Sequence, residues 1–181
     1  MTDFYFDIET YSPSNIIDPE NDKIITIQFQ HLDTKTGKPL GELMMLKEWE
    51  SSEEDIVEKF FPFFQKWEFI PIGMNLPFDK EFLRVKFKRY LFIDIPPRNL
   101  FWDFPSVDIK PLLILLNEGK FSGASLNTLG NKKNNGACIK DWYERKDYDA
   151  IVSYVRQEAE AFITFYQMIK RNIKNIFDSQ T

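Results

Sequence analysis

Apolar and polar positions alternate through residues 3–10, DFYFDIET, and again through 23–32, KIITIQFQHL. A two-residue period rich in aromatic and β-branched side chains predicts strands. Residues 11–22 between them carry Ser, Pro, Asn and Asp and read as a loop. Thr36-Gly37-Lys38-Pro39 reads as a hairpin-like turn into a third strand at Leu43–Leu46. The period then changes. Ser51 or Ser52 can cap a helix, Glu53, Glu54 and Asp55 suit its first turn, and Ile56, Phe60, Phe63 and Phe64 share one face as far as about Trp67. Phe69–Met74 reads as a short buried strand, and Pro77 opens a helix that runs to about Tyr90.

Pro96-Pro97 breaks the chain. Ser106–Lys110 is a strand candidate, followed by a helix over Pro111–Glu118. Residues 119–147 are rich in Gly, Asn and Lys and less regular, with one short helix expected at Leu126–Leu129. One long helix is expected from Tyr148 to Phe177. The order β-β-β-α-β-α-β-α, closed by a last helix, favours an α/β sheet packed with helices. No repeat, low-complexity tract or long linker interrupts it, so residues 1–181 are expected to form a single domain.

Composition narrows the class. An apolar fraction of 43% and an aromatic fraction of 16% argue for a packed core over a disordered chain. Cys138 is the only cysteine and cannot form an internal disulfide, which points to a reducing, cytoplasmic setting. The N-terminus has no basic region followed by an apolar one, and the longest aliphatic run, Leu112–Leu116, is too short to cross a bilayer. No membrane partner is therefore expected. The net charge of −5 weighs against a protein that coats nucleic acid. It does not weigh against one that gathers carboxylates around metal ions, which reverse the local sign.

Three short segments carry the candidate chemistry. Asp7 and Glu9 are i and i+2 on the first strand and point to one face. Two carboxylates side by side repel unless a cation lies between them, and hard cations such as Mg²⁺ and Mn²⁺ prefer oxygen ligands. The bland alternative is a pair of solvated acids. Asn75-Leu76-Pro77-Phe78-Asp79 sits where a buried strand turns into a helix. Asp79 alone could be a first-turn acid that complements the helix dipole. Tyr154 and Glu158 are i and i+4 on the last helix and can reach one point together, although a core Tyr and a solvated Glu would look the same.

Taken in order, the three segments resemble the exonuclease motifs of the DEDD (DnaQ-like) superfamily in its DEDDy, tyrosine form. Those motifs are an Asp-x-Glu strand, an Asn-x2-(Phe/Tyr)-Asp segment and a helix with Tyr-x3-Asp. The only histidine, His31, lies on the second strand, so the histidine form does not fit. Ile17–Ile25 is similar to the loop after the first motif in the exonuclease domain of family B DNA polymerases. Val107-Asp108-Ile109 with Ser125–Leu129 is similar to a later segment of that domain. The resemblance covers most of the chain, and no polymerase module follows, so a free-standing domain is expected. One departure stands out: Glu158 occupies the family's fourth Asp position. Its longer arm shifts a ligand by about an ångström, and a displacement of that order can cost ~10²-fold in rate.

The resemblance implies a ribonuclease H-like fold, a mixed central sheet flanked by helices, and a 3′→5′ exonuclease that hydrolyses phosphodiesters with two divalent ions, Mg²⁺ or Mn²⁺. It implies that Asp7 bridges the ions, that Glu9 and Glu158 complete the site that activates water, and that Asp79 supports the second ion. Tyr154, whose phenol is a poor base at neutral pH, would orient the attacking water. Asn75, Phe78 and Tyr11, beside the motifs, are candidates to grip the strand. Trp102, Trp142 and Tyr143 could stack a base but fit a core or interface role better. Lys80, Arg84, Lys86, Lys88 and Arg89 make the second helix basic, either as a solvated face or as a phosphate-tracking one; Lys132-Lys133 has the same two readings.

The expected partner is single-stranded nucleic acid, DNA ahead of RNA, with a replication or repair protein as a further partner and proofreading or DNA repair as the setting. Two other readings remain at this point. One is an exoribonuclease, because nothing in the sequence reports on a 2′-hydroxyl. The other is a module that binds nucleic acid or a protein without cutting, which rests on Glu158.

Overall fold

The computed structural model describes residues 2–14, 16–65, 69–126 and 138–178. Five strands form one sheet in the order β3-β2-β1-β4-β5. β1 (Thr2–Tyr11), β2 (Lys23–Leu32) and β3 (Met44–Lys47) run antiparallel to their neighbours, while β4 (Phe69–Gly73) and β5 (Val107–Asp108) continue the sheet in parallel. The helices are α1 (Glu53–Phe64), α2 (Leu76–Leu91), α3 (Lys110–Leu116), α4 (Cys138–Glu144) and α5 (Tyr148–Asp178). This is the mixed sheet flanked by helices, of ribonuclease H-like form, that the resemblance implied.

Alternation along β1 divides the core. Phe6 and Ile8 point to one face, where Phe29, Phe60, Phe69, Phe82 and Phe87 pack under α1 and α2. Tyr5 points to the other, where Ile72, Phe162 and Tyr166 pack under α5. Asp7 and Glu9 share that second face. A bulge breaks the β1–β2 register just past them: Glu9 pairs with Thr26 and Thr10 with Ile24, which leaves Ile25 over. Ile24 joins the α1 side, and Ile25 packs with Ile151, Tyr154 and Val155 of α5. The bulge thus lets β2 feed both layers at the level of the carboxylates.

Local chemistry sets the helix ends. Ser52 Oγ accepts the Asp55 N–H at 3.1 Å and caps α1. Pro62, which lacks an N–H for the helix ladder, lies in the last turn of α1, and the helix closes at Phe64. At the start of α2, Asn75 takes a left-handed conformation (φ 65°), and its N–H donates to Asp108 Oδ1 at 2.8 Å. The same oxygen accepts the Lys110 N–H at 2.9 Å, which ties the ends of β4 and β5 together. Gly73 permits this junction, because a Cβ there would stand 2.6 Å from Phe6 O and from Leu76 Cδ2. At the far end of β1, Asp3 Oδ2 accepts the Tyr166 hydroxyl at 3.2 Å and anchors α5 to the same sheet face.

Four expectations need correction or completion. β5 has two residues where five were expected, because it pairs with β4 only through Ile72–Val107 and Gly73–Asp108. α4 was not anticipated. Of the helix expected at Leu126–Leu129, all but Leu126 lies outside the described residues, as do Trp67 and Lys132-Lys133. The basic face of α2 is the main correction. Lys80 is buried and donates to Leu100 O (3.1 Å) and Ser106 Oγ (2.8 Å). Lys86 is fully buried, donates to Asp22 O, and pairs with Glu53 at 3.3 Å. Arg84 pairs with Glu81, Lys88 with Asp94, and Arg89 with Glu20. Lys86 and Arg89 fasten α2 to the loop after β1 and to α1, and Lys80 fastens it to the segment before β5, which leaves Lys88 and Arg89 as the exposed cations of the row.

Candidate active site

β4 pairs with β1 only as far as Tyr5–Ile72, so Asp7 and Glu9 stand beyond its end. They occupy the crevice outside the carboxyl ends of the parallel strands, where open α/β sheets commonly bind ligands. α5 crosses the same face and brings Glu158 to them. One carboxylate oxygen from each of Asp7, Glu9 and Glu158 lies within 4.8 Å of the others, and all three residues are half-buried. Glu158, one methylene longer than the Asp of the resembled motif, reaches the cluster from the i+4 position after Tyr154.

Asp79 is not one of this trio. It is buried behind it, in the first turn of α2, and its Oδ1 accepts the Ile8 N–H at 3.1 Å. Ile8 is the residue between Asp7 and Glu9, so Asp79 fixes the backbone that carries both. Burial first, and then the nearby Asp7 charge, hold the Asp79 carboxyl well above the usual carboxylate range. Tyr154 is buried, and its phenol donates to Glu158. Burial, with Glu9 and Glu158 adding to it, pushes that phenol well above its usual value, so it stays protonated throughout the neutral range. The Tyr5 phenol is raised for the same two reasons, by burial and then by Asp7, Glu158, Glu9 and Asp79. Carboxylate charge thus accumulates on this face of the sheet. Hard oxygen donors that converge under such repulsion suit a divalent cation.

The strand-gripping candidates are less tightly grouped. Asn75 is exposed at the left-handed turn before α2. Phe78 is half-buried, packs on the α1–α2 core and stacks against Phe82 with ring centroids 4.8 Å apart. Tyr11 lies against Tyr143 of α4, with centroids 4.8 Å apart, and its hydroxyl donates to Glu144 at 3.3 Å. Trp142 and Tyr143 are half-buried beside Tyr154, so α4 walls the site with aromatic side chains.

Sequence reasoning missed the residues that hold Asp7. Gln28 Nε2 donates to Asp7 Oδ2 at 2.9 Å, and Tyr5 OH donates to the same oxygen at 3.4 Å. Thr26 Oγ1 in turn donates to Gln28 Oε1 at 2.8 Å. The available signal was a Thr and a Gln at i and i+2 among the isoleucines of the strand, whose meaning depends on which strand lies beside it.

No protein-family model matches the chain, and no curated protein matches it. Solved structures do. Crystal structures of E. coli Exonuclease I with a dT13 oligonucleotide, of an ExoI/SSB-Ct complex, and of a product-bound exonuclease I superpose with TM-scores of 0.65, 0.63 and 0.63. Each is 15% identical in sequence and aligned over 98% of this chain. The chain spans 43%, 43% and 45% of those chains, respectively. At this identity the likeness is one of fold: the chain shares its architecture with under half of each exonuclease I chain.

Proposed function

We propose that this chain is a metal-dependent 3′→5′ exonuclease that removes nucleotides from the 3′ end of single-stranded DNA. The observation that carries the proposal is the meeting of Asp7, Glu9 and Glu158 within 4.8 Å at the carboxyl end of β1, in a fold shared with exonuclease I. We take residues 1–181 as one exonuclease domain of the DEDDy type, similar to the proofreading domain of family B polymerases.

Asp7, Glu9 and Glu158 would hold Mg²⁺ or Mn²⁺, with Asp79 behind them. A pair of such ions supplies a water of lowered pKa and charge relief on the leaving oxygen. The chain's own groups do the rest. Asp79 holds the Ile8 amide, so Asp7 and Glu9 keep their spacing. Tyr154, kept protonated by burial and the nearby carboxylates, gives its proton to Glu158 and leaves its oxygen to accept, which suits a group that orients a water and not one that removes a proton. Asn75, Phe78 and Tyr11, which neighbour the motif residues in sequence, are assigned to the terminal nucleotides. The placement of Glu158 inside the trio supports catalysis over a non-cutting binding module. By analogy with the dT13 and SSB-Ct complexes of exonuclease I, we assign single-stranded DNA and a replication or repair protein as partners.

The test is a 5′-labelled single-stranded DNA oligonucleotide and its RNA counterpart, each incubated with Mg²⁺, with Mn²⁺ and with chelator, beside an Asp7→Ala control. A metal-dependent ladder that shortens from the 3′ end of DNA, absent in the control, is the expected result. Preferential shortening of RNA would make the enzyme an exoribonuclease. No cleavage of either strand with either metal would overturn the enzymatic reading.

A further inference from the structure

We infer that Gln28, its amide oxygen paired with Thr26, is a positioning residue that fixes the Asp7 carboxylate for divalent-cation binding; the inference rests on the metal site proposed above. Thr26 and Gln28 are both fully buried, in a strand whose other buried positions are aliphatic or aromatic. Burying a primary amide is costly unless both of its ends find partners. Here both ends do. The acceptor end, Oε1, takes the Thr26 hydroxyl at 2.8 Å, and the donor end, Nε2, reaches Asp7 Oδ2 at 2.9 Å.

An amide has distinct donor and acceptor ends, so this arrangement has a direction. A flipped Gln28 would turn Oε1 toward a carboxylate oxygen, which repels it. Asp7 therefore selects the orientation, and the Thr26 hydroxyl, which can donate or accept, donates to the Oε1 end that results. The strand register places it where it acts: Asp7 lies across from Gln28 and Glu9 across from Thr26, so the relay lies beside both carboxylates of β1. Tyr5 also donates to Asp7 Oδ2, but at 3.4 Å it is the longer contact.

A neutral donor suits this position for a further reason. It donates to Asp7 without adding a positive charge that would compete with a cation. Lysine at 28 would satisfy Asp7 and oppose the metal. Glutamate would face Asp7 with a second anion. Groups that orient a metal ligand from behind typically change metal affinity by about 10–100-fold when removed.

The experiment is Mn²⁺ titration by calorimetry on the full chain, with thermal unfolding in chelator as the control for folding. Gln28→Met, similar in volume and without a donor, is expected to weaken Mn²⁺ binding about tenfold, and Gln28→Lys to abolish it. Isosteric Thr26→Val is expected to weaken binding severalfold, and to add nothing in a Gln28→Met background, since it acts only through Gln28. In the nuclease assay Gln28→Met should lower kcat with little change in KM for the oligonucleotide.

Asp7→Ala separates the two levels of the argument. If Asp7→Ala binds Mn²⁺ as the parent does, the metal site itself is wrong and the inference falls with it. If Asp7→Ala loses Mn²⁺ while Gln28→Met and Thr26→Val bind as the parent does, the site stands and the relay is overturned. Additive losses in the double variant would also overturn it. Should Gln28→Met fail to fold, Thr26→Val decides alone: unchanged affinity there rejects the relay.

Discussion

At the proposed metal site, one methylene sets how far Glu158 reaches. An Asp at this position on α5 would end nearer the helix axis, whereas Glu158 brings an oxygen within 4.8 Å of those offered by Asp7 and Glu9. Glu158→Ala is therefore expected to lower nuclease activity at least tenfold while the protein still folds, as read by initial rates and circular dichroism; an unchanged rate would remove Glu158 from the site. Asp79 makes a different prediction. Burial and Asp7 raise its carboxyl, so its ionised form is less favourable in the folded chain than in the unfolded one. That cost is absent below the ordinary carboxylate value of about 4 and appears as pH rises through the elevated folded value. Asp79→Asn keeps an oxygen for the Ile8 N–H and removes the charge. In chelator at pH 7 the variant should melt above the parent, and the gap should close as pH falls toward 4; its nuclease activity should drop. A variant that melts lower at pH 7 would show that the charge is not a burden. At this scale, Asp7, Glu9, Tyr154 and Glu158 were legible because each pair obeys the period of its own element. Gln28 and Thr26 were not, because a buried polar side chain acquires its meaning from a partner on another strand.

Among the elements, α2 was read correctly as a helix and incorrectly as a surface. Its cations are closely spaced, and a run of that kind usually faces water. Long aliphatic stems let Lys80 and Lys86 pass through apolar packing instead, and their acceptors come from distant parts of the chain: Leu100 and Ser106 for one, Asp22 and Glu53 for the other. Glu53 also accepts the Ile24 N–H at 2.7 Å and the Tyr90 hydroxyl at 2.6 Å, so it joins β2, α1 and α2. Lys86→Met leaves this carboxylate buried without its cation and should cost about 3–5 kcal/mol in urea unfolding. Adding Glu53→Gln should recover much of the loss; a single variant as stable as the parent would show that the pair contributes nothing. α4 escaped prediction for a simpler reason. Seven residues after a Gly- and Asn-rich tract give under two turns, too few for a period to show, and its value lies in Tyr143 and Trp142 packing beside Tyr11 and Tyr154.

For the molecule as a whole, the order of strands and helices was enough to anticipate a mixed sheet with a helical layer on each face. Alternation then made β1 the divider, with phenylalanines on one side and carboxylates on the other. The inward turn of the α2 cations has a consequence for how the molecule meets a polyanion. Binding to nucleic acid is salt-sensitive in proportion to the counterions that phosphate contacts release, about 0.7 in the log–log slope for each contact with a single strand. A helix that buries Lys80 and Lys86 and pairs its other cations with Glu20, Glu81 and Asp94 has few to exchange. Lys88→Gln, at the most exposed of its cations, should leave the slope of log affinity against log salt unchanged for a single-stranded oligonucleotide, measured with Ca²⁺ in place of the catalytic metal. A slope reduced by about 0.7 would mean that the helix releases ions after all. On the proposed function, a strand held at the carboxylate cluster and not along α2 should stay bound at salt concentrations that strip a conventional basic binder from DNA.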